Sequence, residues 1–118
     1  MRRAISFSIA LVALMGAIAY GLRPTEIRVR NASDVEFKSV SVKDKQYGDI
    51  PPGGTTDYQV WEEAYLSERV SLSVNSTTLT YHIHDHMGER ALGAGKFTYV
   101  IRRGWSGQIG ILAERDVN

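Results

Sequence analysis

Residues 68–86 read ERVSLSVNSTTLTYHIHDH, and the alternation in this stretch decides the fold class. Val70, Leu72 and Val74 alternate with Ser71, Ser73 and Asn75, the period of a strand with one buried face. After a polar turn at Asn75-Ser76, Leu79, Tyr81 and Ile83 alternate with Thr78, Thr80, His82 and His84. Two such runs joined by a tight polar turn predict an antiparallel hairpin. The turn lacks an Asn-Gly or Asp-Gly pair, so its type stays open.

The same parity selects the histidines. With Leu79, Tyr81 and Ile83 facing a core, His82 and His84 face the other way, and so does His86 if the strand reaches it. Residues two apart on a strand face sit about 6.5–7 Å apart, close enough for two imidazoles to converge on one ion. His86 lies about 13 Å from His82 on a straight strand and joins them only if the chain bends, for which Met87-Gly88 is placed. Zinc needs three or four ligands, and copper also accepts a thioether, so Met87 is a further copper ligand. The plainer reading is a solvated strand face carrying threonine and histidine, since polar alternation is ordinary on half-exposed strands. Without cysteine, a zinc site must draw a carboxylate from Asp85, Glu89 or elsewhere. The plainer reading is preferred, and zinc or copper held by His82, His84 and His86 is the alternative.

Length and composition bound the rest. The chain has 118 residues, enough for one small domain. Fourteen basic and 13 acidic residues balance to +1, which offers no basic surface for nucleic acid. Cysteine is absent, which excludes a disulfide framework and thiol catalysis.

The N-terminus predicts export. Arg2 and Arg3 precede an uncharged run from Ala4 to Leu22, and Ala17-Ile18-Ala19 sets small residues where a signal peptidase reads them. Cleavage after Ala19 leaves Tyr20 first. A run of this length also spans a bilayer as an uncleaved anchor, attaching the protein to the membrane through residues 4–22. In both cases the basic end stays in the cytoplasm and the rest crosses the inner membrane. A domain exported without disulfides suits the periplasm. Without Arg2 and Arg3 the chain holds 12 basic and 13 acidic residues, a charge of −1 that selects no partner.

Residues 20–24 read as a tether, residues 25–114 as the domain and residues 115–118 as a polar, frayed tail. Ile27 and Val29 alternate with Glu26, Arg28 and Arg30 in a first strand. Val35 and Phe37 share one parity while Val40 and Val42 share the other, so one extra residue near Lys38-Ser39 predicts a bulge. Gln46 to Ile50 is a short strand before the Pro51-Pro52-Gly53-Gly54 turn. Thr55 to Trp61 predicts a strand with Thr56, Tyr58 and Val60 on one face. Trp61 to Leu66 is a helical turn or crossover, with Tyr65 assigned to the core. Met87 to Gly95 is a glycine-bearing loop without the context of a phosphate site. Phe97, Tyr99 and Ile101 face the core on the next strand, and Gly104-Trp105-Ser106-Gly107 turns the chain toward Ile109 and Ile111. Short strands at intervals of about ten residues predict an all-β fold. An antiparallel β-sandwich, immunoglobulin-like or transthyretin-like, is the first choice and a small barrel the second.

Ile27-Arg28-Val29-Arg30-Asn31, Tyr47-Gly48-Asp49, the run YQVWEEAY over 58–65, Gly88-Glu89, Leu92-Gly93 and Gly95-Lys96-Phe97-Thr98-Tyr99 form a further pattern. In these pieces the chain resembles a group of small exported bacterial β-sandwich proteins of uncharacterised function. The resemblance covers most of the mature domain. It implies export and the all-β fold and no activity, and it does not imply the histidine run.

Catalysis is not expected. Ser106 lacks the spacing of a nucleophile elbow, and the adjacent Glu62 and Glu63 point apart on any regular element. A binding or structural module remains, meeting an unknown protein or envelope component through end loops or an exposed edge strand. Trp105 in its tight turn and Tyr65 in the crossover are the candidate partner contacts, and folding back onto the core is the alternative, favoured for Tyr65 and evenly balanced for Trp105.

Overall fold

A computed structural model describes residues 24–83 and 86–117. The predicted signal or anchor segment, His84, Asp85 and Asn118 lie outside the described residues. Eight strands follow one another: β1 (Thr25–Asn31), β2 (Phe37–Val42), β3 (Lys45–Ile50), β4 (Gln59–Trp61), β5 (Val70–Val74), β6 (Thr77–Tyr81), β7 (Gly95–Arg103) and β8 (Ile109–Arg115). They form two four-stranded sheets, ordered β4-β1-β7-β8 and β3-β2-β5-β6. The all-β expectation holds. Among the described residues there is no helix, and so none long and apolar enough to cross a membrane.

The core lies between the sheets. Ile27 and Val29, Val70 and Leu72, and Phe97, Tyr99 and Ile101 are almost wholly buried from alternate positions. That is the parity the alternation dictates. Tyr47 ties the layers: its hydroxyl donates to the Ile27 carbonyl at 2.8 Å and accepts from the Trp61 indole N–H at 2.9 Å. Burial pushes the Tyr47 pKa up to about 12.

One pairing departs from the antiparallel expectation. β1 runs parallel to β7, Thr25 opposite Gly95 and Asn31 opposite Ile101, while the other paired strands run antiparallel. Sequence alternation carries no information on the direction of a neighbour 70 residues away.

The predicted bulge is present. The pairing of β2 with β3 shifts register between Phe37 and Val40, and Ser39 takes φ 52°. Its N–H donates to the Asp49 carboxylate at 2.9 Å. The extra residue returns Val40 and Val42 to the core face.

Two strand expectations are corrected. The run from Thr55 is a strand only over β4, preceded by a single bridge between Arg30 and Thr55. Val60 is 59 % exposed there and Trp61 turns inward, because the larger apolar body and the bond to Tyr47 outweigh the parity of a valine. The central hairpin forms with Leu72 opposite Leu79, but its second strand stops at Tyr81. His82 therefore falls beyond the strand.

Candidate functional site

The strand directions sort the loops into two ends. Pro24, the 62–69 crossover, His86 and the chain after β8 gather where β1 and β7 begin. The 32–36 loop, the Pro51–Gly54 turn, the Asn75-Ser76 turn and the 104–108 turn gather at the opposite end. Asn31 anchors this second end from within. It is fully buried, and its amide donates to the carbonyls of Val35 (2.7 Å) and Ile50 (3.0 Å).

Trp105 stands at the tip of the second end. The Gly104 N–H bonds the Gln108 carbonyl at 2.7 Å and the Gly107 N–H bonds the Gly104 carbonyl at 3.0 Å, which closes the turn on the backbone, and the Ser106 hydroxyl donates to the Gln108 side-chain carbonyl. Gly107 takes φ 85°, a left-handed conformation open to glycine. Nothing in that closure engages the indole, which is fully exposed. A groove of about 560 Å³ lies between the β5–β6 hairpin and the β7–β8 tip, lined in part by Ser106 and Gly107, which follow Trp105 in the turn. Leu79 and Ile109 lie along it, with Thr78, Thr80, Arg103 and Gln108 at its walls.

His82 and His86 lie at the other end, and neither is on a strand. His82 is exposed past β6, and His84 lies outside the described residues. His86 sits between two carboxylates: Nε2 lies 3.0 Å from Glu68 Oε1 and Nδ1 lies 2.9 Å from Glu89 Oε2. A neutral imidazole has one N–H to give and an imidazolium two, so this geometry selects the charged ring. Burial alone lowers the His86 pKa, but the bonds and charges of Glu89 and Glu68 outweigh it and hold it above 6.5. The ring stacks on Tyr65, centroids 3.9 Å apart and planes within 8°. Tyr65 is thus a half-buried partner of His86 rather than the core residue expected, while its carbonyl accepts the Tyr99 hydroxyl at 2.6 Å.

Glu68 was not singled out by sequence, although a signal existed: it shares parity with Val70, Leu72 and Val74. It is 3 % exposed, and its Oε2 has no hydrogen-bond partner among the described residues. With both His86 nitrogens engaged, a metal at His86 must displace Glu68 or Glu89. Among the described residues, no group of three or more His, Asp or Glu side chains is placed to hold an ion.

The chain end is also tied at this side of the molecule. Arg115 belongs to β8, the Asp116 N–H bonds the Lys96 carbonyl at 2.9 Å, and its carboxylate accepts from Thr98 at 2.7 Å and from Tyr58. The segment read as frayed is held through Asp116, because that carboxylate meets hydroxyls from two other elements.

No protein-family model and no curated protein matches the sequence. Among solved structures, the chain is similar to an NMR structure of a protein from Eubacterium rectale, with TM-score 0.58 and 15 % identity. The match covers 82 % of this chain and 94 % of that one. The likeness is one of fold.

Proposed function

We propose that this chain is an exported, non-catalytic binding module of the bacterial envelope that meets a partner through its Trp105 end. The observation that carries the reading is Trp105 itself, a fully exposed indole on a backbone-closed turn. Tryptophan is enriched among the few residues that dominate binding interfaces, and a turn that does not use the ring for packing leaves it free for one. Export rests on the basic start, the uncharged run and the small residues before Tyr20. It carries the domain to the periplasm, released or anchored through residues 4–22. Of the two sandwich forms, the strand order supports the transthyretin-like one. An immunoglobulin arrangement keeps its first two strands in one sheet, whereas β1 and β2 lie in opposite sheets.

The test compares wild type with Trp105→Ala for retention on envelope fractions from an expressing bacterium, with N-terminal mass spectrometry reporting cleavage at Ala19. Loss of an interface tryptophan lowers affinity by about thirtyfold or more. Equal retention of the two proteins removes Trp105 from the reading. The alternative, zinc or copper on His82, His84 and His86, is tested by calorimetric titration against a His82→Thr/His84→Thr double variant. Submicromolar binding lost in the variant establishes it, and weak binding equal in both ends it.

A further inference from the structure

The two sheets have four edges among the described residues, and three of them carry protection against strand addition. β4 is only three residues long. β3 carries Lys45, Asp49, a left-handed Gly48 and two register shifts against its neighbour. β8 is covered where the Ala113 N–H bonds the Leu66 carbonyl at 2.8 Å, and it ends in Glu114-Arg115. Short length, charge, bulges and covering loops are the devices that keep edges from pairing. β6 is five residues long and β8 approaches part of it, but it carries neither charge nor bulge. Its sequence is Thr77-Thr78-Leu79-Thr80-Tyr81, uncharged and in regular register with β5 throughout.

The register shows which backbone groups are open. Val74 pairs with Thr77 across the two-residue turn Asn75-Ser76, whose φ values of 49° and 65° are those of a type I′ turn. The pair flanking such a turn is hydrogen-bonded, and bonded pairs then alternate along the ladder. Thr77, Leu79 and Tyr81 thus bond β5, while Thr78 and Thr80 turn their N–H and C=O outward. Outward donors and acceptors repeat every second residue, about 6.8 Å apart, which is the spacing of another strand's backbone.

We propose that β6 is a strand-addition site for an extended segment of a partner protein, which lies in the groove beside the Trp105 turn and pairs with Thr78 and Thr80. The proposal rests on the Trp105 reading and specifies the partner's form. The groove itself selects the occupant. One wall is β6 and the other is the 103–109 turn, and the outward backbone groups along the β6 wall match an extended chain rather than a folded surface. A second copy would bring β6 with the same wall standing beside it. Leu79 and Ile109 along the groove favour apolar side chains at alternate positions of the segment.

The test pans a random linear dodecapeptide library on protein purified from the envelope of an expressing bacterium. Selected peptides are measured by fluorescence anisotropy. The expected result is a set with alternating apolar residues whose affinity falls at least about tenfold on Thr78→Pro and on Thr80→Pro, since each removes an outward N–H. Thr80→Val keeps that N–H and should keep binding. Because a proline variant can misfold, the same peptides N-methylated at alternate residues are measured on wild type, where binding should also fall tenfold or more. Failure to enrich any peptide overturns the proposal, and so does binding indifferent to N-methylation. A wild-type dimer in sedimentation that Thr80→Pro abolishes assigns the edge to a second copy and equally overturns it. Peptide binding that depends on β6 but is unchanged by Trp105→Ala upholds the edge while removing the tryptophan, so the two readings fail separately.

Discussion

The protein has two tryptophans, and they stand at opposite ends of the same two sheets in opposite conditions. Trp61 is 2 % exposed, gives its indole N–H to Tyr47 and meets the Tyr99 ring edge-on at 5.6 Å. Trp105 is fully exposed on a turn that closes without it. At the Trp61 end, polar groups are largely answered inside the molecule: His86 by two carboxylates, Tyr99 by the Tyr65 carbonyl, Asp116 by Thr98 and Tyr58. At the Trp105 end, the indole and, along β6 from its turn, the outward backbone of Thr78 face solvent. Both ends are held from within, the second by the buried Asn31, but only the second also presents a fully exposed indole.

The sharpest way to break this contrast is to exchange each tryptophan for alanine. Trp61→Ala should lower unfolding free energy by about 3–5 kcal/mol in urea titration, the cost of removing a buried aromatic whose site cannot fully collapse. A loss under 1 kcal/mol would mean that the Trp61 end is not the packed one.

Next in size is His86→Ala, which strands the buried Glu68 carboxylate without its partner. A buried acceptor left unsatisfied costs about 1–3 kcal/mol, again read from the urea midpoint. His86→Ala as stable as wild type would show that solvent already satisfies Glu68.

Smaller still is the pH dependence of that same contact. The folded pKa of His86 is raised above 6.5, so the stabilisation is fully present below the unfolded value and is lost as pH rises through the folded one. The difference in urea midpoint between wild type and His86→Gln should therefore be largest near pH 5 and shrink toward pH 9. A difference that grows with pH would reverse the assignment of the charged ring.

The smallest effect belongs to Trp105. Trp105→Ala should leave stability within about 0.5 kcal/mol, as surface substitutions free of packing do. A larger loss would place the indole against the body of the protein and end the contrast between the tips.

The lesson for reading such chains lies in where alternation succeeds and where it fails. Val70, Leu72 and Val74 faced inward as their period requires, and the parity break between Phe37 and Val40 marked a real bulge at Ser39. Glu68 followed the same inward parity, a signal that went unused because a carboxylate is not expected inside. The period misled at Val60 and Trp61, where a three-residue strand gives parity too little length to act and one indole bond decides the facing. It could not relate His86 to Glu68, 18 residues away, or to the Tyr65 ring.

By itself, then, the sequence determined the all-β class, the facing of the long strands, the bulge and the principal turns. These are properties of neighbours within a few residues, where side-chain period and turn chemistry act directly. The parallel pairing of β1 with β7, the inward turn of Trp61, the clamp on His86 and the open edge at β6 were decided only in the tertiary structure. Each depends on which distant element arrives beside a given residue, and local alternation is blind to that.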